Sequence, residues 1–198
     1  MRDPLNSNLQ VLLSDIVEEL APELHDDIPF VFYGHSLGAL LAFEVARRFR
    51  ARRVVAPSGL IVSGRMPPHL PLVRPALHRL ADRDLLREVT LLGGIPREIQ
   101  SQPEMCNLIL PPLRTDLKLD ETYLYSPEPP LECPVLACVG SNDPEVSVDA
   151  MRQWQLCTRS RFVFRTFEGN HFFMHGNATS FTNEVATFLH SVTPVEMP

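Results

Sequence analysis

At 198 residues, 44% of them hydrophobic, with a net charge of -6, the chain can bury a substantial core and makes a poor partner for nucleic acid. No run approaches the roughly 20 apolar residues of a membrane helix, and Met1-Arg2-Asp3-Pro4 lacks the apolar core of a secretion signal, so we expect one cytoplasmic domain without membrane contact. Cys106, Cys133, Cys138 and Cys157 show no zinc-ligand spacing, and the expectation is reduced thiols, Cys138 in the core, with no disulfide.

In chain order, Asn6 or Ser7 can cap a first helix whose Leu9, Leu12, Leu13, Ile16, Val17 and Leu20 form one stripe, limited by Pro22 and expected to pack on a sheet. Phe30 to Tyr33 reads as a strand buried on both faces. A helix from Leu37 to about Arg50 follows, apolar at positions 37, 40, 41, 45 and 49, with the basic residues at 47, 48, 50, 52 and 53 complementing the dipole at its C-terminus. Leu60 to Ser63 is a second short strand, and strand, helix, strand implies a right-handed parallel unit.

Between Arg65 and Pro134 the texture changes, because 12 of the 19 prolines fall there among short helical pieces: Asp82 to Leu92, capped by Asp82 and stopped at Gly93-Gly94, then one near Glu104 to Leu110 and another near Arg114 to Tyr125. A helical insertion between strands of a parallel sheet, over residues 65–126, suits a lid above a site at the strands' C-terminal ends; the alternative is a packing subdomain without a substrate role. Val135 to Gly140 is again a buried strand, Ser147 caps a helix to about Cys157, Arg161 to Phe167 is a last strand, and Thr179 or Ser180 opens a last helix with Phe181, Val185, Phe188 and Leu189 on one face.

The chemistry gathers on Gly34-x-Ser36-x-Gly38, set between strand and helix, where a sharp turn forces the serine into strained backbone angles and the flanking glycines leave room for the two elements to close. The same turn puts the N–H of Leu37 at a helix N-terminus as one oxyanion donor. A neutral serine needs a base and the base an orienting group. His171, after the last strand, and Asp143, in the loop after the preceding one with Pro144 behind it, occupy the right sheet end, with Glu145 as second choice for the carboxylate. The order Ser36, Asp143, His171 is that of α/β-hydrolases. Asp149 reads as neutralising a helix dipole, His35 as packing beside the elbow, and the spacing of His171 and His175 lacks the Glu of a zinc helix, so no metal is expected.

The chain resembles the type II thioesterases that accompany polyketide and nonribosomal peptide synthetases. The resemblance lies in residues 34–39 (GHSLGA) and 43–48 (FEVARR), 63–70 (SGRMPPHL), 92–96 (LGGIP), 110–116 (LPPLRTD), 121–123 (ETY), 140–144 (GSNDP) and 169–173 (GNHFF), nearly end to end. It implies an α/β-hydrolase fold, Ser36 as nucleophile, His171 as general base, Asp143 as its orienting carboxylate and a lid over an acyl chamber. It also implies an acyl substrate on the phosphopantetheine arm of an acyl or peptidyl carrier protein, with no cofactor of the chain's own, and a monomer that clears stalled acyl chains. One departure stands out: the family's His-x-Gly-Gly-like loop, which supplies a second oxyanion N–H upstream of the elbow, has no counterpart in the 35 residues before Ser36. The expectation is therefore an amino-terminally shortened chain of reduced activity, with a small-molecule carboxylesterase or a carrier-binding module as competing readings.

Overall fold

The computed structural model describes residues 8–25, 27–53, 55–72 and 75–193. Their elements are α1 (Leu9–Leu20), β1 (Val31–His35), α2 (Leu37–Arg52), β2 (Gly59–Ser63), α3 (Asp82–Leu91), α4 (Pro103–Glu121), β3 (Val135–Gly140), α5 (Val148–Arg152), β4 (Phe162–Phe167) and α6 (Ala178–Val192), with short 3-10 turns between. The strands form one parallel sheet in the order β1-β2-β3-β4, registered Tyr33 to Ile61, Val62 to Ala137 and Cys138 to Arg165.

Alternation along the strands decides the layers, since successive side chains point to opposite faces. Leu60, Val62, Val135, Ala137 and Val139 meet Ala39, Phe43 and Ala46 of α2 together with Met151 and Trp154 on one face. Ile61, Leu136, Cys138 and Phe167 meet Phe173 and Phe188 on the other, under α6. Every residue of β2 and β3 is buried.

β1 departs from the expectation of burial on both faces: it pairs among the described residues with β2 alone, its burial is partial, and Tyr33 is 49% exposed. A strand with a neighbour on one edge cannot be sealed as β2 and β3 are. The first helix also differs. Asn6 and Ser7 lie outside the described residues, and Asn8 is the cap, its side chain accepting from the N–H groups of Gln10 and Val11. Its stripe of Leu9, Leu13 and Val17 packs chiefly on Leu40, Val45 and Phe49 of α2 rather than flat on the sheet.

The segment between β2 and β3 holds no strand among its described residues and has a small core of its own, Leu77, Leu85, Val89, Cys106 and Leu110. The two helical pieces expected after residue 103 are one helix, α4, which continues through Pro111 and Pro112. Those prolines deny N–H donors to the carbonyls of Asn107 and Leu108, yet burial of Leu110 on one side and Leu119 on the other holds both halves in line. Asp82 is not the cap of α3 either. The preceding residue, Ala81, holds that position without a side-chain bond, and Asp82 pairs with Arg114 at 2.6 Å. Arg114 also donates to the carbonyls of His78 and Leu80, while Glu121 accepts from the N–H groups of Leu77 and His78 and meets the His78 ring at 2.5 Å, so α4 pins the turn at residues 77–79.

Of the basic residues assigned to the C-terminus of α2, Arg47 is instead buried. It pairs with Glu44 at 2.5 Å and Glu128 at 2.7 Å, Tyr123 donates to the same Glu44, and the stretch after α4 is thereby tied to α2. A buried guanidinium needs such partners to repay its lost hydration. The last helix begins one or two residues earlier than expected, at Ala178 with Asn177 at the cap position. No helix of the described residues is long and apolar enough to cross a membrane.

Candidate active site

Ser36 sits between β1 and α2 with φ 52° and ψ -122°, one of two non-glycine residues at positive φ among those described. Such a conformation costs about 1–3 kcal/mol and persists only where its surroundings dictate it. They do so here: the Ser36 N–H donates to the carbonyl of Ser63 at 2.9 Å, its carbonyl accepts from Ala39, and the β1–β2 register fixes both chains. The two flanking glycines differ in purpose. A Cβ on Gly34 would lie 2.0 Å from the carbonyl oxygen of Gly38, whereas one on Gly38 would meet nothing within 4 Å. Gly34 thus permits strand and helix to close, and Gly38 supplies the backbone they close upon. The N–H of Leu37, first residue of a 16-residue helix, donates to no acceptor among the described residues. A free N–H at that end of a helix suits a developing negative charge.

Asp143 and His171 come from the loops after β3 and β4. Gly140 lets these loops meet, since a Cβ there would stand 2.2 Å from the carbonyl oxygen of Asn170, and the bonds from Ser141 N to Phe167 O and from Asn142 N to Gly169 O stitch them together. Asp143 Oδ1 accepts from the N–H groups of Glu145 and Val146, which leaves Oδ2 to accept from His171 Nδ1 at 2.9 Å. Both side chains are buried, at 0% and 4% exposure. The carboxylate sets the tautomer: with the proton on Nδ1, Nε2 is left as an acceptor.

His171 and Ser36 flank Gly64, the residue after β2. A Cβ on Gly64 would stand 3.2 Å from His171 Cε1, and Gly64 lines, with Ser36, a cavity of about 150 Å³ whose other walls include Arg65, Asp120 and Val146. His171 and Asp143 are hydrogen-bonded to each other, while the Ser36 hydroxyl bonds to no described residue.

Glu145 reaches the cavity wall but orients Asp143 through its backbone rather than taking its place. Asp149 lies in the first turn of α5, capped by Ser147 as anticipated. His175 stacks on Phe172, and no group of three or more His, Cys, Asp or Glu among the described residues could hold a metal ion.

Four residues at the site had no role in the sequence reading or a lesser one: Gly64, Arg65, Asp120 and His35. The 63–70 phrase carried the first two without showing what they touch. Asp120 gave no signal, because its partner Arg65 is 55 positions away. His35 does pack beside the elbow, its Nδ1 2.9 Å from Ser63 Oγ and its ring 4.8 Å from that of His171. Burial, reinforced by the charge of His171, pushes its pKa down to about 4.

A parallel sheet between helical layers, turning into a helix at a strained serine with an Asp–His pair at the same sheet end, defines an α/β-hydrolase. Residues 2–192 match the thioesterase domain family, and the chain belongs to it. Linear gramicidin dehydrogenase LgrE of Brevibacillus parabrevis is 37% identical over 176 residues, 87% of this chain and 66% of LgrE. Among solved structures, the thioesterase RedJ from the prodiginine pathway of Streptomyces coelicolor superposes with a TM-score of 0.83 at 33% identity, covering 92% of this chain and 70% of RedJ. The type II thioesterase BorB from the borrelidin cluster does so with 0.84 at 32%, covering 96% and 76%. The chain is thus homologous to type II thioesterases of polyketide and nonribosomal peptide pathways. It spans just under two thirds of the length of the curated relatives, 66%, 65% and 66% for three of them.

Proposed function

We propose that this chain is a serine thioesterase that hydrolyses acyl thioesters carried on the phosphopantetheine arm of an acyl or peptidyl carrier protein. The observation that supports it most is the His171–Asp143 hydrogen bond of 2.9 Å beside Gly64, which lines the same cavity as the strained Ser36. In this reading Ser36 Oγ attacks the thioester carbonyl carbon as its proton passes to His171 Nε2, with Asp143 stabilising the imidazolium through Nδ1. The oxyanion of the tetrahedral intermediate faces the Leu37 N–H. Collapse breaks the carbon–sulfur bond, the thiolate takes the proton from His171, and a water activated by the same imidazole releases the acid and restores Ser36. Residues 65–126 form the lid over the acyl chamber.

The distinguishing experiment compares hydrolysis of an acyl-phosphopantetheinyl carrier protein with that of a p-nitrophenyl ester of the same chain length. A higher kcat/KM on the carrier-bound acyl group is expected. Equal efficiency on both would remove the reason to invoke a carrier.

A further inference from the structure

Behind Ser36 the cavity wall carries a buried ion pair that the proposed chemistry leaves without a role. Arg65 Nε donates to Asp120 Oδ1 at 2.7 Å, with the two side chains 7% and 12% exposed. Arg65 Nη1 donates to the carbonyl of Met66 at 3.1 Å, and the Arg65 backbone carbonyl accepts from the indole N–H of Trp154 at 2.7 Å, which fixes the backbone that carries the side chain. Arg65 Nη2 and Asp120 Oδ2 bond to no described residue, and both side chains line the cavity with Ser36.

Burying such a pair costs several kcal/mol per ion unless remaining donors and acceptors find partners. A fixed pair whose Arg65 Nη2 and Asp120 Oδ2 bond to no described residue suits a ligand group that both accepts and donates. A neutral hydroxyl does both. A carboxylate would gain from Arg65 but meet Asp120, and an ammonium would gain from Asp120 but meet Arg65. An alkyl chain would leave both unpaired. At about 150 Å³ the cavity beside Ser36 has room for at least a short acyl chain.

We infer that Arg65 and Asp120 determine acyl specificity, selecting short hydroxyacyl groups whose hydroxyl bridges the pair over alkyl groups of equal length. This deepens the thioesterase reading and rests on it. Its test is a panel of N-acetylcysteamine thioesters of one size, 3-hydroxybutyryl, butyryl, 3-aminobutyryl and malonyl, assayed on the full chain. The 3-hydroxybutyryl thioester should exceed butyryl in kcat/KM by about 10-fold or more, because a polar site rejects a substrate that leaves its groups unpaired. The double variant Arg65→Met with Asp120→Leu, which removes both charges together, should erase or reverse that ratio. Butyryl hydrolysed as well as 3-hydroxybutyryl by the unaltered chain, or an ionic acyl group preferred, overturns the inference and leaves the thioesterase reading standing. Calorimetry with the corresponding amides separates the two ideas: about 10-fold tighter binding of the hydroxyacyl amide without hydrolysis of any thioester supports the inference and sinks the reaction, while equal binding, or no binding of either amide, counts against the inference directly.

Discussion

The imidazole of His35 lies 4.8 Å from that of His171, centroid to centroid, tilted by 53°. His35 is adjacent to Ser36 in sequence and pairs in register with Ser63, so the strand that presents the serine also presents a ring to His171. His171, Asp143 and His175 are the charged or titratable groups that bear on it, and burial outweighs them all in holding it neutral to about pH 4, against 6.5 for a free histidine.

That depression makes stability depend on pH. As pH falls below 6.5 the unfolded chain binds the proton that folded His35 refuses, so the stabilisation is complete above about 6.5 and is lost as pH falls toward about 4. The loss is on the order of 2–3 kcal/mol. Urea midpoints measured between about pH 7 and pH 4.5 should fall less steeply for His35→Phe, which keeps a ring but cannot titrate; parallel slopes would contradict the assignment.

Gly34 and Gly38 separate on stability. Gly34→Ala drives a methyl into backbone and should cost about 3 kcal/mol or more, read by denaturant unfolding or as insoluble protein. Gly38→Ala, in an open helical position, should be neutral or stabilise by up to about 1 kcal/mol.

The elbow shows what the chain could and could not reveal. Gly34-x-Ser36-x-Gly38 was legible because the motif fixes a local turn, and β2, β3 and β4 were legible as apolar or alternating runs. Asp143 and His171 were placed by their position after successive strands, which in a parallel sheet puts them at one end. The Arg65–Asp120 pair, the Glu121 contacts at residues 77–78 and the Arg47–Glu128 pair were not, since each joins residues tens of positions apart that no period encodes. The split of α4 was misread because proline is a strong local breaker, and here tertiary burial of Leu110 and Leu119 overrides it.

Glu121→Ala strips the acceptor from the N–H groups of Leu77 and His78 and should loosen the segment before α3 by about 3 kcal/mol. Limited proteolysis near residues 70–82 should then accelerate, with hydrogen exchange in β2 and β3 unchanged. Uniform loss of protection would instead mean that this segment and the sheet unfold together.

Asp143→Asn should lower kcat by about 1,000- to 10,000-fold with little change in KM. With Oδ1 accepting from the N–H groups of Glu145 and Val146, the amide can offer His171 only its NH2, which forces the proton onto Nε2 and removes the acceptor that the proposed reaction needs. A loss below about 10-fold would show that the carboxylate does not set the tautomer.

The account turns on whether the Ser36 oxygen is activated by His171. Intact mass spectrometry after treatment with a fluorophosphonate, followed by peptide mapping, measures this directly. One adduct on Ser36, absent in Ser36→Ala and strongly slowed in His171→Ala, is the predicted result; an adduct on another residue, or labelling of Ser36 at an unchanged rate without His171, would contradict it.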